Sequence, residues 1–296
     1  MVIYHFVGTY GVFSHLSTWI EKLIHVNLRQ TIVNYVNNGY DIRTASFINM
    51  ILFNVKTTVI YPVYNHMIDL SVVYLIVVSG FHIAILKKLI NWIFYKHRKI
   101  ANIINLVVII FYSYLLNFAT SILRVLLMHI VTLFSYKRKV SNIDRVCIPG
   151  IFTILVCPSC CLSYGFCMSY FCTIVIIYLV SLNIVNKLIM QILINSCCVL
   201  ITLPYVILMN GKISIFAVIN GFVFSYLFAV IFVWCLLTFW IIWIAPLQAA
   251  IVWLVIQIVN GFFLFNTTVI INNFNGWKII CYQIICSLLI YNLKWL

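Results

Sequence analysis

The chain has 296 residues, of which 65% are hydrophobic and 7% charged, with 18 Lys and Arg against 4 Asp and Glu. A soluble domain needs roughly a quarter of its residues charged to coat its surface. The composition therefore excludes a water-soluble globular enzyme, a disordered chain and a soluble basic nucleic-acid-binding module. Apolar runs long enough to cross about 30 Å of hydrocarbon recur along the length, and they define an all-α class, a polytopic transmembrane helix bundle.

Residues 1–20 are apolar in part, but His5 and His15 interrupt them and no basic segment precedes them, so a cleavable leader is not expected. Residues 21–43 are polar, with Asn34, Asn37 and Asn38, and read as helical or irregular surface structure outside the hydrocarbon. Residues 44–64 are ambiguous: they are apolar, yet Lys56 and Pro62 weaken a spanning helix, and an amphipathic interfacial segment fits equally. Residues 1–68 are accordingly set apart as an N-terminal polar or interfacial region, and 69–296 as the transmembrane domain.

Within that domain residues 70–94 predict a first span, closed by Lys96, His97, Arg98 and Lys99. Spans follow over 100–117 and 119–136, the latter ending at Lys137, Arg138 and Lys139. A weaker span over 146–162 is broken by Pro149, Gly150 and Pro158, and others cover 163–182 and 188–209. Residues 213–244 are too long for one perpendicular span and read as a tilted helix or a broken pair before Pro246. Residues 247–271 and 277–293 complete a set of about eight to ten spans.

The net charge of +14 invites an anionic partner. However, Lys96, Arg98, Lys99, Lys137, Arg138, Lys139, Arg145 and Lys187 all fall in alternate connections. The connections near Asn117 and Ser163 carry no Lys or Arg, and Lys212 is the exception. This is a positive-inside pattern, so these eight basic residues report orientation rather than a ligand.

Few ionisable groups remain inside the predicted spans. His82 lies 12 residues into the first span, about 18 Å along the helix and close to the midplane. Arg124 lies five residues into the third span, roughly 7 Å from its outer end. An arginine there costs up to about 3 kcal/mol unless it meets a partner, a water-filled cavity or the headgroups by snorkelling. The alternative for His82 is a neutral imidazole bonded between helices, and His129 reads as structural. Ser79 precedes His82 and Ser121 precedes Arg124 by three residues, which puts hydroxyl and cation on one helix face. Gly80 lets another helix approach beside His82.

Eleven cysteines include Cys157, Cys160, Cys161, Cys167 and Cys172. No histidine accompanies this cluster, so a zinc site is not expected; a disulfide at an outer turn or small packing residues remain. No nucleotide-binding loop, zinc-protease helix, nucleophile elbow or carboxylate pair occurs. No metal, no cofactor and no catalytic residue is therefore expected.

Four short stretches resemble one family in order along the chain. Residues 77–84, with Ser79, Gly80 and His82, are similar to the "SGLHI" signature of the ComEC competence family, the membrane channel of DNA uptake. Residues 121–128 resemble that family's "LRAxLM" helix, with Arg124 at its arginine. Residues 165–170 resemble its "GFQLSF" motif through Gly165, Phe166 and Ser169. Leu203, Pro204, Gly211, Lys212, Ile213, Ser214 and Asn220 resemble its "LPL…FGRIS…N" stretch. Cys167 departs from the family's usual Gln.

The resemblance covers roughly residues 44–270, the family's membrane domain. An OB-like domain and a metallo-β-lactamase-like domain, which that family carries, have no counterpart in these 296 residues, so strand degradation would fall to another polypeptide. The resemblance implies a multi-pass plasma-membrane channel, not an enzyme, that passes single-stranded DNA in natural transformation. Residues 69–296 would be the competence-type channel domain. Partners implied are single-stranded DNA, membrane lipid, a separate DNA receptor, a motor ATPase, a nuclease and a second copy of the chain. His82, Arg124, Ser79, Ser121, Ser169 and Asn220 are the expected DNA-path residues, because a moving polyanion needs a dilute cationic and hydroxyl or amide lining. A small-anion permease and a structural protein whose channel role has lapsed are the competing readings.

Overall fold

The computed structural model describes residues 27–72, 75, 80–134, 141–156, 158, 164–182, 184, 186–271 and 276–292. Ser79, and the cysteine cluster at 157–161, lie outside them. The described chain is all-α apart from one pair of three-residue strands.

Helix α1 (Leu28–Gly39) is capped by the Asn27 side chain, which accepts from Gln30 N at 2.9 Å. Only Val33 and Val36 on this polar helix are buried. Tyr40 then anchors the turn, its hydroxyl donating to Thr238 O at 3.1 Å. Helix α2 (Ile42–Phe53) starts on Asp41, whose carboxylate accepts from Thr44 N at 3.2 Å. Every residue from Thr44 to Phe53 is buried. A helix that is apolar all round belongs inside a bundle, so the segment that reads as interfacial from sequence is a core element. At 12 residues it is about 18 Å long, short of a full crossing.

Asn54, at φ 52°, ends α2 in the left-handed region. The last carbonyls of α2 are met from elsewhere: Tyr112 Oη donates to Leu52 O at 2.8 Å and Arg29 Nη2 to Phe53 O at 3.3 Å. Helix α3 (Tyr61–Asp69) restarts the path with Pro62 in its first turn.

Helix α4 (Gly80–Ile93), α5 (Arg98–Leu115) and α6 (Thr120–Phe134) pack on one another as a three-helix unit. Asn105 Nδ2 donates to Asn91 Oδ1 at 2.9 Å and pins α5 to α4. The α5–α6 turn is buried from Tyr112 to Leu116 and passes through Asn117 and Phe118 at positive φ. Helix α7 (Asp144–Val156) contains Pro149, and α8 (Tyr164–Ser181) packs against α9 (Lys187–Asn210), which contains Pro204. Gly211, at φ 69°, closes α9, a conformation that favours glycine.

Strand β1 (Lys212–Ser214) pairs antiparallel with β2 (Thr268–Ile270), with Lys212 opposite Ile270 and Ser214 opposite Thr268. Between the strands run α10 (Ala217–Thr238), a 3-10 turn (Ile242–Ile244) and α11 (Ala245–Leu264); α12 (Gly276–Asn292) follows β2. The over-long apolar run at 213–244 is thus one 22-residue helix flanked by a strand and a turn.

Helices α2 and α3 both pack along α11. At its start, Tyr40 also reaches Ile241 O at 3.3 Å. At its end, His66 pairs with Asn260 at 2.9 Å and stacks on Phe263 at 4.0 Å, and Asn266 Nδ2 donates to Asp69 O at 2.9 Å. Residues 42–69 therefore form a broken helix that follows α11 from one end to the other.

The main core joins α1 to α6 with α10 and α11 around Phe47, Phe224, Phe228 and Phe232; a smaller one lies between α8, α9 and α12 around Val175, Leu179 and Ile201. Residues on both sides of position 68 share the main core.

Among the described residues five helical segments are long and apolar enough to cross a membrane, at 98–115, 164–181, 187–210, 217–238 and 242–264. This is fewer than the eight to ten expected. Among the described residues α7, α6 and α12 have 13, 15 and 17 residues. Large apolar side chains such as Phe134, Leu155, Leu264 and Trp277 point outward, as lipid contact requires. The chain is an all-α membrane protein.

Candidate functional site

Arg124 and His82 both lie inside the protein, 7% and 1% exposed. Arg124 of α6 approaches α4 from one side, and His82 of α4 faces another. A Cβ added at Gly80 would lie 3.2 Å from Arg124 Nη2, so a side chain there would press on the guanidinium. His82, two residues on and about 200° around the helix, instead meets Phe232 of α10 with ring centroids 4.3 Å apart.

The guanidinium carbon of Arg124 lies 5.5 Å from the centre of the Tyr170 ring, within the range of a cation–π contact. Tyr170 can stand there because Gly150 of α7 gives it room; a Cβ at Gly150 would come within 3.0 Å of Tyr170 Cε1. Arg124 Nε and Nη1 are buried with no hydrogen-bond partner among the described residues. A charged group left this way is costly, since desolvation is not offset by pairing.

No described carboxylate offsets it. Asp41 caps α2, Asp69 pairs with Lys212 at 2.5 Å, and Asp144 is exposed at the start of α7. Glu21, the fourth acid of the sequence, lies outside the described residues.

Asn220 serves a different place. Its Nδ2 donates to Leu70 O at 3.1 Å and to Ser214 Oγ at 3.2 Å. Ser214 Oγ in turn donates to Asn266 Oδ1 at 2.5 Å and accepts from Phe216 N at 3.1 Å, while Ser214 N donates to Ser71 Oγ at 3.0 Å. One donor and two acceptors exhaust the Ser214 hydroxyl. This knot ties the end of α3, the strand pair and the start of α10 together. Asn220 is 12 residues from Phe232 on α10, about 18 Å by helix rise. Beside the knot an open groove of about 380 Å³ is lined by Asn65, Ile68, Asp69, Asn210 and Lys212.

Ser169 is half-buried on α8 next to Tyr170, and its carbonyl accepts from Thr173 Oγ1 at 2.7 Å. Gly165, Phe166 and Cys167 share the first turn of that helix; Phe166 meets the Tyr170 ring at 4.4 Å. Pro204 is buried inside α9. The side chain of Ser121 lies, like Ser79, outside the described set. The structure therefore brings Arg124, Gly80, Tyr170 and Phe166 to one junction of α4, α6 and α8, and sets His82 and Asn220 at two others.

Sequence reading meets Tyr170 only as the end of a motif and Gly150 only as a break in a span, and it does not reach the Ser214 partners Ser71 and Asn266. Their signal was weak: a tyrosine or an asparagine in an apolar helix has no meaning until its neighbour is known. His129, read from the sequence as structural, is buried with Nε2 3.5 Å from Asn102 O. No group of three or more potential metal ligands occurs among the described residues.

The described residues define a helical membrane bundle with a buried arginine at a three-helix junction. The family model described as "Competence protein" matches residues 51–296. The chain belongs to the competence protein family. It is similar to an uncharacterized protein, MG316, of Mycoplasma genitalium, with 24% identity over 208 residues, covering 70% of this chain and 55% of that one. It is also similar to the MG316 homolog of Mycoplasma pneumoniae, an uncharacterized protein, with 26% identity over 210 residues and the same two shares. The chain thus spans about half the length of these curated relatives. No solved structure matches.

Proposed function

We propose that this membrane protein passes single-stranded DNA across the plasma membrane during natural competence, and that the path runs along the Arg124 face of α4. The observation that carries this reading is the buried guanidinium at the junction of α4, α6 and α8, in a chain of the competence family. A polyanion in transit needs isolated cations set among neutral groups, because a dense cationic lining would hold the strand in place. Ser169, Ser121 and Ser79 neighbour Arg124 or its contacts in sequence and supply the neutral part of that lining. His82, against Phe232, and Asn220, in the Ser214 knot, set the positions of α4 and α10. Residues 69–296 act as the channel domain, with membrane lipid around it. A DNA receptor, a motor ATPase and a nuclease are the partners this reading calls for, and a second copy of the chain is a further candidate.

Replacing Arg124 and His82 separately by Ala, with membrane levels matched, tests the path. DNA uptake should fall at least tenfold for Arg124→Ala. Normal uptake in both variants removes the passage role. The buried cation would equally suit a small-anion permease, so uptake of a labelled small anion is measured beside DNA uptake; transport of the anion without DNA transfers the assignment.

A further inference from the structure

We propose that Cys172 and Cys198 are a dithiol that hydrogen peroxide closes into a disulfide between α8 and α9. Both are free thiols, and the passage reading gives neither a part. The two helices place them together. Joined by residues 182–186, α8 and α9 run antiparallel and pack against each other. Tyr164 of α8 meets Tyr205 of α9 with ring centroids 6.1 Å apart. From that contact Cys172 lies eight residues forward and Cys198 seven residues back, about 12 and 10 Å along their helices. The register therefore sets both side chains at one level, and their thiols hydrogen-bond to each other. Both residues are half-buried rather than sealed, so a small uncharged oxidant can reach them. Cys197, the next residue along α9, is instead buried in the smaller core.

The charge of Arg124 reaches Cys172, and a thiol beside a cation is the better nucleophile. The Cys172 sulfur attacks one peroxide oxygen and the O–O bond breaks. The second oxygen leaves as water with the thiol proton, and Cys172 becomes a sulfenic acid. The Cys198 sulfur then attacks the Cys172 sulfur and the S–O bond breaks. The hydroxyl leaves as a second water with the Cys198 proton. Two thiols have lost two electrons and one peroxide has taken them up. Thiols already in contact need only side-chain rotation to reach a bond of about 2 Å. The bridge ties α8 to α9 two residues from Tyr170, the ring that faces Arg124.

The test uses the 296-residue chain, purified in a maltoside detergent with its thiols reduced, then desalted and exposed to hydrogen peroxide. Peptide mapping by mass spectrometry should find a fragment joining Cys172 to Cys198, lost again on reduction with dithiothreitol. Cys198→Ser removes the resolving thiol, so a dimedone adduct of the sulfenic acid should build up at Cys172. Cys172→Ser should leave Cys198 without that adduct. The wild-type map carries the test if either serine form does not fold.

Cys172 and Cys198 remaining reduced while other cysteines oxidise overturns the pair. So does a bridge from either one to Cys197 or to another cysteine. Equal dimedone labelling of the remaining thiol in the two variants overturns Cys172 as the attacking sulfur. DNA uptake is not read in this experiment, so its outcome is independent of the passage reading.

Discussion

At the scale of single residues, glycine and arginine are interdependent at the α4–α6 crossing. Gly80 lies against Arg124 Nη2 and Val125 Cγ2, each 3.2 Å from where a Cβ would sit. Gly80→Val should therefore overpack the crossing, at a cost of about 1–3 kcal/mol, and lower DNA uptake more than its loss of stability explains. Thermal unfolding and uptake, measured on the same preparations, separate the two effects. Asn220 makes the opposite prediction. Asn220→Ala leaves Leu70 O and Ser214 Oγ each short of a donor, which costs about 1–3 kcal/mol for buried groups. Uptake per folded molecule should stay near the wild-type value. A large loss of uptake at unchanged Tm would place Asn220 on the path instead. Both residues stand out in the sequence as polar or small positions within apolar runs. Whether each meets a ligand or a neighbouring carbonyl depends on contacts 150 residues away in the case of Leu70, and no local pattern encodes that.

At the scale of elements, the broken helix formed by α2 and α3 was the least legible part of the chain. Lys56 and Pro62 suggest an interfacial segment. Yet Phe47, Ile48, Met50 and Leu52 are fully enclosed by α10, α11 and their neighbours. Truncating Phe47 to Ala should cost about 3–5 kcal/mol and show as a sharply lower yield of folded protein. An exposed change on α1 such as Gln30→Ala should be nearly silent, within about 0.5 kcal/mol. At the break, Asn54 sits at φ 52°. Asn54→Val should be destabilising by about 1–2 kcal/mol, because β-branched side chains fit the left-handed region badly. Asn54→Gly should be neutral by the same measurement. Better retention of stability by valine than by glycine would show that the break relaxes to another backbone conformation. Helix α9 was the most legible, an apolar run bounded by Lys187 and Gly211.

At the scale of the whole molecule, orientation follows from the basic connections. Cysteines introduced at Lys96 or Lys187, in a background without native cysteines, should react with an impermeant maleimide only from the cytoplasmic side. A cysteine at Lys212, one 24-residue helix beyond Lys187, should react only from the opposite side. Labelling of all three from one face would invert the reading of α9 as a span. The composition of this chain, 65% apolar with basic residues in alternate connections, is enough to determine a helical membrane bundle. Hydrocarbon admits only backbone whose hydrogen bonds are satisfied within the segment. The four short motifs between Ser79 and Asn220, taken in order, are likewise enough to point to the competence family. Only tertiary packing decided that Arg124 and His82 face different helices and that residues 44–53 belong to the core. It also decided that Asn220 is spent on a carbonyl and a hydroxyl. The reason is that apolarity and charge act on each residue wherever it lies, whereas a partner exists only after distant helices have met.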